Sequence, residues 1–331
     1  MKLALYLPNF RTEITIKELE DLTDLAEELE FDSVWTLDRI VVPETSDTQE
    51  LKHSFGMMDG LPHGLPVESR GQWFQGYPLL IWLASRTTKC RIGQSIIDTP
   101  YRSPGVLAAE LATVDHLSKG RLNVGVGAGW MPEEFAAASA THIWPKKNKH
   151  VRETIEIMQG IWGNDLFEYH GEFADFERCG FGAKPLQQPR PPIFMSGLKD
   201  PARAAKRITK YDLDGFIGIQ DSPESLGKWL TAIDQEFEEL GSPKRSKDLE
   251  ICSMIWTVIT EEETDQSTEG GVASNLLVGT EKQVTDRLKA YKEAGLTMPL
   301  IWPPFTDVPT SKTLDDLKRI KNDIMPKVEA S

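Results

Sequence analysis

The chain has 331 residues, with 51 acidic against 37 basic side chains and a formal net charge of −14. That balance argues against a nucleic-acid partner, which would want clustered Lys and Arg, and no apolar run approaches the length of a membrane span. Cys90, Cys179 and Cys252 are odd in number and far apart, and the 6 histidines form no HxxxH pair. Neither a disulfide framework nor a metal site is therefore expected, and the setting reads as reducing and cytoplasmic.

Taken in order, Lys2–Leu7 is a short apolar strand ended by Pro8-Asn9, too brief for the core of a signal peptide. Over Ile16–Glu30, Leu19, Leu22, Leu25, Ala26 and Leu29 recur at helical spacing with acids between them, and Asp32–Leu37 is the next strand. The pattern lapses from Pro43 to Gly76. This stretch carries Phe55, Met57, Met58, Trp73 and Phe74, too apolar for plain disorder. It reads as a lid or substrate-pocket insertion, with a surface excursion or a dimer contact as the alternatives. Pro78–Thr88 resumes as a helix and Arg91–Ile97 as a strand. Ser103 before Pro104 gives an N-cap and a first-turn proline for a helix running to His116.

Arg121–Phe135, RLNVGVGAGWMPEEF, carries the clearest signal. Leu122, Val124 and Val126 alternate as in a half-buried strand. Gly125, Gly127 and Gly129 let another molecule approach the backbone, and Pro132 with Glu133 and Glu134 suits a helix start. A dinucleotide-binding turn would place its third glycine three residues after the second, in a βαβ unit near the amino terminus. Here the spacing is GxGxG, which leaves a plain tight turn or a βα loop at the mouth of an α/β barrel.

Lys149–Trp162 is a helix and Gly163–Gln188 is irregular. Strands at Pro192–Ser196, Asp214–Ile219, Glu250–Ile259 and Pro299–Trp302 then alternate with helices at Pro201–Lys210, Pro223–Leu240, Thr280–Ala294 and Leu314–Lys327. About eight strands, nearly all followed by helices and with no break in composition, predict a single (β/α)₈ TIM-type barrel over residues 1–331 with a lid-like insertion after strand 2. Function in such a barrel sits at the carboxyl ends of the strands. The candidate surface is Pro8-Asn9, Asp38-Arg39, Gln94–Ile97, Gly127–Trp130, Ser196-Gly197, Gly218–Gln220 and Trp302.

RIGQS at 91–95, PYRSP at 100–104, LATVDHLSKGRLNVGVGAGW at 111–130 and EEF at 133–135 together resemble the bacterial-luciferase-like superfamily of flavin- and F420-dependent oxidoreductases. LALYLPNF at the start, FDSVWTLDR at 31–39, PPIFMSG at 191–197 and VGTEKQV at 278–284 extend the match along nearly the whole chain. The resemblance implies a reduced flavin (FMNH₂) or reduced F420 at the carboxyl end of the barrel. It assigns Asn9, Gln94, Ser95, Ile96, Gly127, Ala128, Gly129, His150, Ser196 and Gly197 to the cofactor. A non-proline cis peptide is common at the family position matching Ser95-Ile96. Ser196-Gly197 would meet the cofactor phosphate through N–H groups at a helix start. Luciferase itself has arginine where this chain has Ala128, which shifts phosphate recognition toward Lys199 or His150.

Many F420-dependent relatives carry Asp-His after the second strand, where this chain has Asp38-Arg39. Arginine stays protonated and cannot act as a base near neutral pH, although it can hold a carboxylate or developing negative charge. Arg39 is the catalytic candidate, and Asp38, Trp73 and Trp130 are candidates for substrate contact. The departure favours an FMNH₂-dependent monooxygenase, in which O₂ reaches a small organic substrate by way of a peroxyflavin and a separate NAD(P)H:flavin reductase supplies FMNH₂. An N-heteroaromatic or aromatic acid would suit Arg39 beside tryptophan faces; a linear aldehyde, alkane or sulfonate is the other substrate reading. Hydride transfer from F420 without O₂ is the alternative chemistry. Dimers are usual among families of this kind.

Overall fold

The computed structural model describes residues 1–11, 13–44, 69–197, 199–218, 222–264, 276–303 and 308–330. Its barrel strands are β1 (Ala4–Tyr6), β2 (Ser33–Thr36), β3 (Arg91–Asp98), β4 (Leu122–Gly127), β7 (Ile193–Met195), β8 (Gly215–Gly218), β9 (Glu250–Ile259) and β11 (Met298–Trp302). All neighbours are parallel, and the β8–β9 and β1–β11 pairings close the ring. A ninth strand, β10 (Leu276–Gly279), pairs only with Trp256–Ile259 at the far end of β9. The ten residues of β9 thus serve β8, β11 and β10 in succession.

Strand alternation sorts the side chains into two cores. Leu3, Leu5 and Leu7 point outward to the helices, whereas Ala4 and Tyr6 point into the barrel with Trp35, Phe194, Cys252, Trp256, Leu300 and Trp302. Gly93 belongs to this inner arrangement, because a methyl group there would overlap the Trp35 ring. The outer layer is α1 (Ile16–Glu28), α2 (Gly76–Arg86), α3 (Pro104–Leu117), the short α4 (Pro132–Ala137), α5 (Lys147–Gly163), α6 (Pro201–Tyr211), α7 (Pro223–Glu239), α8 (Glu281–Glu293), α9 (Thr310–Arg319) and α10 (Met325–Glu329). Thr15 with Glu18 and Thr280 with Gln283 form capping boxes that satisfy the first N–H groups of α1 and α8. None of the helices described is long and apolar enough to cross a membrane.

Four expectations change. Ser103 occupies the N-cap of α3, but its hydroxyl makes no capping hydrogen bond there. The stretch expected to be irregular holds an antiparallel hairpin of β5 (Phe167–His170) and β6 (Asp175–Cys179), whose exposed positions mask the strand periodicity. The strand β10, just ahead of the helix expected from Thr280, is absent from the sequence expectation; it is only four residues long. The closing helix starts earlier than expected and widens into a π turn over Ile320–Ile324, just ahead of Pro326, which has no N–H to give an α-helical bond. Residues 45–68, which hold most of the expected lid, lie outside the described residues. The part that follows docks on the barrel: the Phe74 N–H donates to Asn9 O, and Trp73 meets the Phe10 ring edge-on at 6.2 Å.

Candidate active site

The carboxyl end of the barrel gathers two groups of residues. The first surrounds Gly127 at the end of β4. The Ser95–Ile96 peptide in β3 is cis, and the Ile96 side chain fills the space a methyl group on Gly127 would need. The Ser196 hydroxyl lies beside the same spot, and the Ser196 N–H donates to Val126 O. Thr99 Oγ1 donates to Gly127 O at 3.3 Å and stands 3.4 Å from His150 Nδ1 on α5. Gly197 follows with φ +72° and open space where a side chain would be, before Asp200 caps α6. Residues from four separate stretches of sequence (Ile96, Gly127, His150 and Ser196) are thereby brought together.

Burial depresses His150 to about 4, so its imidazole is neutral near neutral pH and offers a hydrogen bond rather than a charge to a phosphate. Lys199 is exposed, with its carbonyl accepting from Trp229 Nε1.

The second group is ionic and buried. Arg39 Nη1 lies 2.8 Å from Glu134 Oε2, with side-chain exposures of 3% and 0%. The guanidinium also faces the Trp130 ring at 5.0 Å and the Phe10 ring at 5.4 Å. Glu134 accepts in addition from the Ile40 N–H (2.8 Å) and Tyr101 OH (3.1 Å). Asp38 turns the other way, holding Arg102 through both carboxylate oxygens and accepting the Asp98 N–H.

Three carboxylates, Asp38, Asp98 and Glu134, thus face two guanidiniums, Arg39 and Arg102. Asp98 Oδ1 is buried without a protein partner. Burial, with Glu134 and Asp38 nearby, pushes Asp98 well above the usual carboxylate range. Burial also raises Glu134, but there Arg39 and the Ile40 N–H oppose it. Burial therefore favours the protonated form of Asp98 within this cluster.

Other expected site residues stand elsewhere. Both Asn9 amide hydrogens go to backbone carbonyls, of Leu37 and Phe74, while its oxygen accepts the Leu37 N–H, so the amide staples β1 to β2. Gln94 follows Ile92 on the outward face of β3, its amide against Gly76 at the start of α2. Gly129 has φ +66°, and a methyl group there would crowd Tyr101 OH and Phe135; its freedom serves the α4 turn. Ala128 packs against the outer core. Arg39 and Asp38, adjacent in sequence, thus take separate ionic partners, Glu134 and Arg102.

Between the two groups the barrel interior is apolar. Tyr6 packs on Trp302 at 4.6 Å, Trp302 lies 5.2 Å from Trp256, and Tyr6 OH donates to Ser95 O at 2.6 Å. Aromatic and aliphatic walls, with the Ser196 hydroxyl and the open Gly197 backbone at one end, fit a planar ring system with an anionic tail.

A protein-family model described as luciferase-like monooxygenase matches residues 1–266. The chain belongs to that family. This luciferase-like enzyme is 35% identical over 259 residues to an FMNH₂-dependent dimethylsulfone monooxygenase of Pseudomonas putida, a match covering 65% of this chain and 70% of that one. It is 24% identical over 289 residues to the oxygenase component of a flavin-dependent trigonelline monooxygenase of Acinetobacter baylyi, covering 74% and 78%. Its fold matches that of an F420-dependent secondary alcohol dehydrogenase in complex with an F420-acetone adduct, with a TM-score of 0.74, 17% identity and coverage of 99% and 98%. The enzyme is an oxidoreductase of the luciferase-like type.

Sequence reasoning missed most of the ionic group. Glu134 entered as an early-helix acid and within the EEF match, Tyr101 and Arg102 only within the PYRSP match, and Asp98 not as a candidate at all. No local pattern reveals that they converge. The exposed hairpin also brings ligand atoms of Glu168, His170 and Glu177 within 4.8 Å, although His170 Nδ1 already pairs with Asp175.

Proposed function

We propose that this enzyme is the oxygenase component of a two-component FMNH₂-dependent monooxygenase, with a separate NAD(P)H:flavin reductase supplying the reduced flavin. The observation that carries the reading is the Arg39–Glu134 pair. Arg39 stands where F420-dependent relatives would present histidine, and a buried, paired guanidinium takes up no substrate proton. The cofactor supplies oxygen activation when bound, and the chain supplies a dry, oriented chamber. Ile96 and Gly127 would support the ring, Ser196 and Gly197 the phosphate, with neutral His150 donating alongside. The name of the Pseudomonas putida relative supports FMNH₂, and that of the Acinetobacter baylyi relative supports a flavin and an oxygenase component. F420 is the alternative cofactor, supported by sequence similarity to F420-dependent oxidoreductases, among them an F420-dependent glucose-6-phosphate dehydrogenase 27% identical over 234 residues.

The substrate we infer is a small organic molecule presenting one acceptor oxygen to Arg39, whose Nε is buried without a protein partner. Because Glu134 neutralises the guanidinium, a sulfonyl oxygen suits it as well as a carboxylate. The aromatic faces of Trp130 and Phe10 beside Arg39 favour the second candidate, an N-heteroaromatic acid. Supplying FMNH₂ and ¹⁸O₂ with dimethyl sulfone or trigonelline, then weighing the products, tests the choice. Label in either product supports the oxygenase reading, and consumption without label opposes it. We further propose a homodimer in the cytoplasm.

A further inference from the structure

Away from the barrel mouth, an open groove between α5 and α6 offers about 500 Å³. Arg152, Arg203, Lys206, Arg207 and Lys210 line it, on a chain whose net charge is −14. Lys210 pairs with Glu156 at 2.8 Å. Among the described residues, no carboxylate lies within ion-pair distance of the other four.

Arg207 is the telling member. It is only 9% exposed, and among the described residues its guanidinium has one hydrogen-bond partner, the neutral Asn148 Oδ1 at 3.4 Å. Burying a cation without a counter-charge is costly. Arg203 with Arg207 and Lys206 with Lys210 are also like-charge pairs four residues apart on one helix, which repel. Arg203 sits near the amino end of α6, where the helix dipole disfavours a cation. Burial, Arg152 and Arg203 all make the Arg207 charge harder to hold. Arg203 and Lys206 stay in water and Lys210 is paired, which leaves Arg207 as the buried cation of the groove with no carboxylate at ion-pair distance among the described residues.

We propose that the α5–α6 groove is a binding site for a small polyanion, an organic molecule bearing two or more phosphate or carboxylate groups, separate from the flavin site. Guanidinium forks from two helices match tetrahedral phosphate or planar carboxylate oxygens in bidentate fashion. The volume admits a molecule of about nucleotide size. A bound anion would supply the counter-charge that Arg207 lacks and link α5, which carries His150, to α6, which follows the Ser196-Gly197 loop.

The test is calorimetric titration of the whole protein with inorganic pyrophosphate, or with citrate, at low salt and with FMN present in saturating amount. Arg203→Glu/Lys206→Glu alters two exposed side chains, and Arg207→Gln the buried one. Saturable binding of either probe is expected, weakened at least about tenfold in each variant, with the stronger probe identifying phosphate or carboxylate. The surface variant should also melt higher than the wild type at low salt without ligand. Undiminished affinity in the variants, displacement of the probe by FMN, or no saturable binding of either probe would overturn the proposal.

Discussion

Arg39, just past β2, and Glu134, in α4, close a buried ion pair across the barrel mouth, with Nη1 and Oε2 2.8 Å apart. A buried pair stabilises little in itself, but removing one partner strands the other charge. Glu134→Ala should destabilise by roughly 3–5 kcal/mol. Arg39→Met/Glu134→Leu, which removes both charges, should recover most of that loss. Urea unfolding of the two variants and the wild type checks this; equal losses in both would mean the pair matters only through packing.

Asp98 yields a pH dependence. Its native pKa is raised, so the folded state keeps a proton that the unfolded chain releases. Its contribution is full below the ordinary carboxylate pKa and is lost as pH rises through the native value. Asp98→Asn, which is neutral at every pH, should flatten that decline and unfold at higher urea than the wild type at about pH 8. Parallel curves for the two proteins would count against the assignment.

His150 works in the opposite direction. Its native pKa is about 4 against an ordinary 6.5. The unfolded chain takes up a proton across that window while the folded chain does not, so stability falls as pH drops from 6.5 toward 4. The loss should be on the order of 3 kcal/mol in full. His150→Gln should remove that slope, as read from urea midpoints at several pH values.

Gly127 has no room for a side chain. Gly127→Ala would push a methyl group into Ile96 Cδ1 and crowd Ser196 Oγ. The expected cost is about 1–3 kcal/mol of stability, with weakened flavin retention. Adding Ile96→Ala should restore much of the stability. Equilibrium unfolding and FMN titration of both variants read this directly.

The barrel was legible because its information is local: Leu3, Leu5 and Leu7 alternate with Ala4 and Tyr6 in sequence as they do between the two cores. The glycine-rich loop was legible for the same reason. Side-chain direction was not. Gln94 and Asn9 lie near the strand ends, yet Gln94 faces outward and Asn9 is taken up by backbone groups. Partner choice was equally hidden, since nothing in Asp38-Arg39 tells that adjacent residues turn to Arg102 and Glu134. The hairpin of β5 and β6 escaped because both strands are largely exposed.

The most direct measurement is anaerobic titration of the protein with reduced FMN and, separately, reduced F420, followed by rapid mixing with O₂. The account predicts that FMNH₂ binds, that bound flavin regains its oxidised absorbance at least about tenfold more slowly than free FMNH₂, and that F420 binds weakly or not at all. Tight binding of reduced F420 alone, with its hydride reaching an acceptor in the absence of O₂, would contradict it.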